Sequence, residues 1–247
     1  MINLKRKRRA YLMPILKFIR NILNIFKKYA FPNYLRPKSV YQFYLEEQNL
    51  RCFEHFKNHL KNSVLLTTNK LRDYSINLAK ENDNDPEYYY LEFGVFSGTT
   101  INSFSKKLKN KNIYGFDSFE GLKEDWLGTS VTKGTFNLNK KIPKLENNVI
   151  PIAGWIQDTL PIFLKDKKPK INFVHIDVDT YETSKFILNL IKPNLVKGAV
   201  ILFDELYNFE GWDIGEYKAL QETFEEKEYQ FKSFATDGQQ VVIKILN

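Results

Sequence analysis

A single cysteine, Cys52, stands in a chain of 247 residues. That excludes an internal disulfide and fits a reducing compartment. No apolar run approaches the ~20 residues that a spanning helix needs. A secretory leader is not expected either, because Lys17 and Arg20 interrupt the apolar part that follows Lys5-Arg6-Lys7-Arg8-Arg9. Internal repeats and low-complexity tracts are missing too. Acidic residues are absent from residues 1–40, which hold 11 Lys/Arg, whereas the remainder holds 26 basic and 29 acidic residues. The net charge of +8 therefore belongs to an N-terminal arm and not to the folded body. A nucleic-acid partner, which the pI of 9.2 would otherwise suggest, is not expected.

What is present begins with that arm. Leu12, Ile15, Leu16, Ile19, Ile22, Leu23, Phe26 and Tyr29 recur at helical spacing, with Lys17, Arg20, Lys27 and Lys28 on the other side. Residues 1–30 suit either an anionic membrane surface or docking on the body or on a second subunit, which would make a homodimer. Localisation is expected to be cytoplasmic, with peripheral contact at the cytoplasmic face of a membrane on the first reading. Val40 to Lys61 and Asn69 to Lys80 read as helices. Cys52, His55 and His59 share one face of the first, and they read as partly buried core residues more readily than as a metal site. The turn-rich Glu81-Asn82-Asp83-Asn84-Asp85-Pro86 closes this part. Three regions result: a basic arm over 1–40, a helical lid or linker over 41–86, and a ligand-binding domain over 87–247.

From Tyr88 onward, strand and helix alternate. Strands are expected at Tyr88–Phe93, Ile113–Asp117, Asn148–Ala153, Ile171–Asp177 and Ala199–Phe203. The intervening helices run near 101–108, 159–164, 181–191 and 216–226. Tyr229–Ala235 and Gln240–Leu246 close the chain as a hairpin. The class is α/β: a parallel sheet with helices on both faces and a last strand inserted antiparallel.

Ligands of such sheets sit beyond the carboxyl ends of the strands. Those ends carry Glu92 and Gly94, Asp117 and Ser118, Gly154 and Trp155, Asp177 and Asp179, and Asp204 and Glu205. Gly94 is expected to let a ligand approach the backbone, and Gly98 to let the following helix pack closely on the strand. The dinucleotide fingerprint G-x-G-x-x-G fails at Phe96, which disfavours a nicotinamide-dependent oxidoreductase. Glu92 before the glycine turn suits a ligand with a cationic ammonium and a ribose, such as S-adenosylmethionine. Asp117, 23 residues past Gly94, suits the ribose hydroxyls. Asp177, Asp204 and Glu205 make an oxygen-rich set suited to Mg²⁺. Asp179 is a candidate base, and His175 a weaker one, with a satisfied core histidine as its plainer reading. Asp179 with Glu182 also resembles a helix cap.

Leu91-Glu92-Phe93-Gly94-Val95-Phe96-Ser97-Gly98 and Phe116-Asp117-Ser118-Phe119-Glu120-Gly121-Leu122 resemble class I S-adenosylmethionine-dependent methyltransferases. More narrowly they are similar to the macrocin O-methyltransferase family. Gly154-Trp155-Ile156-Gln157-Asp158-Thr159-Leu160-Pro161 and His175-Ile176-Asp177-Val178-Asp179-Thr180-Tyr181 resemble that family's third and fourth motifs. The resemblance spans about residues 65–245 and implies a Rossmann-like sheet. It also implies a cofactor site at Glu92, Gly94, Gly98, Asp117, Ser118, Gly154 and Trp155, and Mg²⁺ at Asp177, Asp204 and Glu205. The Asp204-Glu205 pair departs from the common Asp-Asp. Trp212-Asp213-Ile214-Gly215-Glu216-Tyr217 reads as a substrate-side loop. The implied activity is metal-assisted O-methylation of a hydroxyl on a sugar, glycan or glycosylated metabolite, with a small-molecule or glycan acceptor as partner. Lipid, metabolite or nitrogen acceptors, or a non-catalytic membrane-peripheral module that keeps the cofactor fold, are the alternatives.

Overall fold

The computed structural model describes residues 17–23, 37–108 and 110–247. Most of the expected membrane-facing helix, and the Lys5–Arg9 cluster, lie outside them. Residues 17–23 are helical, with Phe18, Ile19, Ile22 and Leu23 exposed. Among the described residues no helix is long and apolar enough to cross a membrane. The chain divides into two compact units, residues 1–45 and 46–247.

Helix α1 (Val40–Lys61) begins at a reciprocal cap. The Gln42 N–H donates to Ser39 Oγ at 3.2 Å, and the Ser39 N–H donates to Gln42 Oε1 at 2.8 Å. The other helices are α2 (Thr68–Glu81), α3 (Thr99–Lys107), α4 (Ile156–Lys167), α5 (Tyr181–Ile191) and α6 (Glu216–Thr223). The strands are β1 (Val64–Leu66), β2 (Tyr88–Phe93), β3 (Ile113–Asp117), β4 (Val149–Ala153), β5 (Lys170–Ile176), β6 (Leu195–Phe203), β7 (Tyr229–Ala235) and β8 (Val241–Ile245). They form one sheet in the order β1-β7-β8-β6-β5-β2-β3-β4. All pairings are parallel except those of β8, which runs antiparallel between β6 and β7 as the terminal hairpin required. Strand β1 falls within the segment expected as a helical lid or linker, and it joins the sheet edge in parallel with β7.

Alternation along each strand divides the core between the two faces. Leu91, Phe93, Phe116, Val174, Ile201 and Phe203 pack on one side with Phe56, Leu160, Leu188 and Leu220 from α1, α4, α5 and α6. Tyr90, Phe173, Val200 and Leu202 pack on the other with Leu71, Ile76, Ile101 and Phe104 from α2 and α3. Each wholly buried phenylalanine contributes roughly 1.5–3 kcal/mol of transfer free energy, so both faces are firmly covered. The carboxyl ends are level, because Phe93 pairs with Phe116 and Ile176, and Ile176 pairs with Phe203. That register brings five strand ends to one rim.

Candidate active site

Backbone bonds continue past the strand ends and fix the rim. The Gly94 N–H donates to Phe116 O, Gly154 to Asp117 O, Asp177 to Phe93 O and Asp204 to Ile176 O, each at 2.9 Å. At Gly94 (φ +88°) a Cβ would lie 1.7 Å from the Asp177 carbonyl oxygen. Glycine is thus required by the approach of the neighbouring strand end, a demand that precedes any ligand. Gly98 (φ +78°) also differs from expectation. A Cβ there would meet Leu145, and the residue that lets α3 approach the sheet is Gly115, where a Cβ would lie 2.6 Å from Ile101 Cδ1.

Asp117 braces the glycine turn. Its Oδ2 accepts the N–H groups of Val95 and Phe96 at 2.8 and 2.7 Å, and its Oδ1 accepts that of Phe119 at 2.7 Å. Three lone pairs of the carboxylate are used inside the chain, which leaves one on Oδ1 for a ligand hydroxyl. Ser118 does similar local work, accepting the Glu120 N–H at 3.1 Å.

Above the rim lies a cavity of about 320 Å³. Of the residues singled out from sequence, Gly94, Asp117, Ser118, Trp155, Asp177, Asp179 and Glu205 line it, whereas Glu92, Gly98, Gly154, His175 and Asp204 do not. Its walls add groups that sequence reasoning missed. Phe96 and Phe136 meet edge to face with centroids 5.3 Å apart, Trp126 packs on Phe209, and Lys123 Nζ stands 5.5 Å above the Trp155 ring. These side chains come from irregular segments, where no hydrophobic period marks them.

Two sets of charged groups meet at Asp177. Beneath the rim, fully buried His175 points Nδ1 at Glu92 Oε2 (3.0 Å) and Nε2 at Asp204 Oδ1 (3.2 Å). Arg72 also donates to Asp204 Oδ1, at 2.7 Å, and Gln240 to Oδ2, at 3.0 Å. Burial would lower the His175 pKa, but the two carboxylates outweigh it and raise it to about 10. His175 is therefore an imidazolium donating from both nitrogens, with none left to take a substrate proton. It is the satisfied core histidine and not a base. Asp204 has three of its four lone pairs filled. Burial pushes its pKa up, but His175 and Arg72 more than offset this and hold it below the usual carboxylate range.

The second set faces the cavity. Asp177, Asp179 and Glu205 offer carboxylate oxygens that all lie within 4.8 Å of one another. Asp204 stands instead with His175 and Asp177, whose ligand atoms also lie within 4.8 Å of one another, so the expected set Asp177, Asp204 and Glu205 is divided between two clusters that share Asp177. Burial, reinforced by the Asp204 charge, raises all three pKa values, that of Asp179 to about 7. Asp179 sits at φ +63°, the centre of a three-residue turn closed by Thr180 N–H to Val178 O at 2.6 Å. Such turns are rare and cost roughly 1–3 kcal/mol. The helix cap expected from Asp179 and Glu182 does not form: the N-cap of α5 is Thr180.

The remaining sequence candidates are packing residues. Cys52 is buried and accepts the Asn208 N–H at 3.3 Å. His55 packs edge-on against Phe56 and Tyr217 and tilted against Trp212, and His59 packs tilted against Phe231. Trp212 and Tyr217, expected on a substrate-side loop, are buried in that same aromatic cluster.

Residues 91–206 match the family model described as a methyltransferase domain. No curated protein matches the chain. Among solved structures, the fold is shared with CalS11, a calicheamicin methyltransferase, at 20% identity and a TM-score of 0.59, covering 85% of this chain and 94% of that one. A second structure of that protein, described as a TDP-rhamnose 3'-O-methyltransferase, aligns at 19% identity and a TM-score of 0.52, covering 85% and 96%. The O-methyltransferase NovP aligns at 16% identity and a TM-score of 0.51, covering 72% and 80%.

Proposed function

We propose, from the match of residues 91–206 to a methyltransferase domain, that the chain is a class I S-adenosylmethionine-dependent methyltransferase that methylates a hydroxyl of a sugar, glycan or glycosylated metabolite with the help of a divalent cation. The observation that carries this reading is the convergence of Asp177, Asp179 and Glu205 on one cavity. Buried Glu205 Oε2 has no hydrogen-bond partner among the described residues. An unpartnered buried carboxylate oxygen is costly unless something cationic meets it, so the donor set fits a hard ion. A TDP-sugar acceptor named for one protein of the same fold supports the choice of acceptor class.

Asp177 and Glu205 would hold the ion, which is within the one or two protein carboxylates that Mg²⁺ commonly takes. Bound there, it would lower the pKa of a nearby acceptor hydroxyl towards neutrality. Asp179, with its pKa raised to about 7, takes the hydroxyl proton. S-adenosylmethionine would supply the methyl group from its sulfonium. Gly94, Asp117, Ser118 and Trp155 would border that cofactor, and Phe96, Trp126 and Phe136 exclude water from the line of transfer.

The test is product analysis. Purified protein is incubated with labelled S-adenosylmethionine, Mg²⁺ and a panel of nucleotide sugars, free sugars, catechols and amines. Label on a sugar oxygen is the expected outcome. Label on catechols or amines alone would overturn the acceptor class.

A further inference from the structure

The ionic groups at the rim do not balance. Glu92 and Asp204 are matched by His175 and Arg72, so each of these two carboxylates has a cationic partner. Asp177, Asp179 and Glu205 make no ion pair among the described residues. A fourth carboxylate reaches the Glu205 backbone from a different element, outside the group whose oxygens all lie within 4.8 Å of one another. Glu216, the first residue of α6, is wholly buried, and its Oε2 accepts the Glu205 backbone N–H at 3.1 Å. Its Oε1 has no partner among the described residues, the condition already noted for Glu205 Oε2.

Two features keep Glu216 where it is. The first turn of a helix favours a negative charge. The next residue, Tyr217, is locked between His55, Phe56 and Trp212, bonds His55 through its hydroxyl, and accepts from Gln221 Nε2 at 2.9 Å. The helix start cannot swing out to hydrate the carboxylate without breaking that aromatic cluster. A buried carboxylate with one oxygen idle, beside three others, costs several kcal/mol as an ion with nothing to offset it. Holding it there makes physical sense if the cluster hosts a cation.

We propose that Glu216 is the positioning residue of the divalent-cation site. It fixes the main chain of Glu205, so that the Glu205 carboxylate faces the ion, and it adds a fourth negative charge that strengthens ion binding. It does not line the cavity. This inference rests on the cation-assisted reading above. Supporting groups of this kind typically alter metal affinity 10–100-fold.

The experiment is calorimetric titration of Mn²⁺ into the full chain with S-adenosylhomocysteine bound, for wild type, Glu216→Gln and Glu216→Asp. Glu216→Gln keeps the shape and removes the charge, and is expected to weaken Mn²⁺ binding by about tenfold or more. S-adenosylhomocysteine affinity should hold, and the melting temperature without metal should hold or rise. Glu216→Asp keeps the charge but withdraws the carboxylate by one methylene, and is expected to weaken Mn²⁺ binding severalfold, which keeps the test alive if the glutamine variant does not fold. Wild-type Mn²⁺ affinity in both variants overturns the role of Glu216 alone. A fall in cofactor affinity and metal-free stability with no selective loss of Mn²⁺ overturns it in favour of plain packing. No Mn²⁺ binding by wild type overturns the cation reading and this inference together.

Discussion

Asp177→Ala is expected to lower methyl transfer about a thousandfold while leaving S-adenosylmethionine affinity within about threefold of wild type. Asp177 is shared by the two carboxylate clusters, so its loss would reach both the proposed cation and the proposed acceptor. The glycine turn proposed to border the cofactor does not depend on its side chain. Gly94 meets the Asp177 carbonyl oxygen, and the Asp177 N–H bonds Phe93 O, and both groups survive the substitution. Removing a carboxylate from a cluster of like charge also relieves repulsion, so metal-free stability should rise or hold. Equilibrium binding of the cofactor beside single-turnover transfer separates the effects. Near wild-type transfer in this variant would show that the acidic rim has no part in the chemistry.

His175→Leu is expected to be the most destabilising substitution in the domain. It leaves Glu92 and Asp204 as buried carboxylates without their shared donor. Breaking a buried ion pair by removing one partner costs roughly 3–5 kcal/mol, equivalent to a fall of about 10 °C in melting temperature for a chain of this size. The pH dependence has a definite sign. The folded-state pKa of about 10 lies above that of an unfolded histidine. The contribution is fully present below roughly pH 6.5 and is lost as pH rises through about 10. The gap between wild type and variant, followed by urea denaturation from pH 6 to 10, should therefore narrow with rising pH. A constant gap would mean that His175 acts by packing alone.

The parts of this architecture that sequence could reveal are those where one physical demand dominates. Apolar runs ending in glycine or acid marked β2, β3 and β5, and the alternating close of the chain marked the β7–β8 hairpin. Val64–Leu66 escaped because three residues, two of them exposed, carry no period and pair only with the distant Ser233–Ala235. The acidic strand ends were legible as a group, but not their division of labour. Both Asp204 and Glu205 lie just past the end of β6, where no strand alternation says which way each points. Nor does the sequence say that Arg72, 132 residues away, and Gln240 wait beside Asp204. Glu216 reads as an ordinary first-turn acid until its burial beside Glu205 is known. Phe96, Trp126 and Phe136 converge only once the segments after β2 and β3 are folded, and a one-dimensional pattern cannot bring them together.

If one cavity serves both methyl donor and cation at Asp177, Asp179 and Glu205, as proposed, transfer must depend on the ion. Single-turnover transfer from labelled S-adenosylmethionine to a sugar-hydroxyl acceptor, measured with Mg²⁺, after chelation and after Mg²⁺ is restored, addresses it most directly. O-methyl product is expected with Mg²⁺, with at least a hundredfold slower transfer after chelation and full recovery on restoration. Transfer at the same rate in the chelated protein would contradict it.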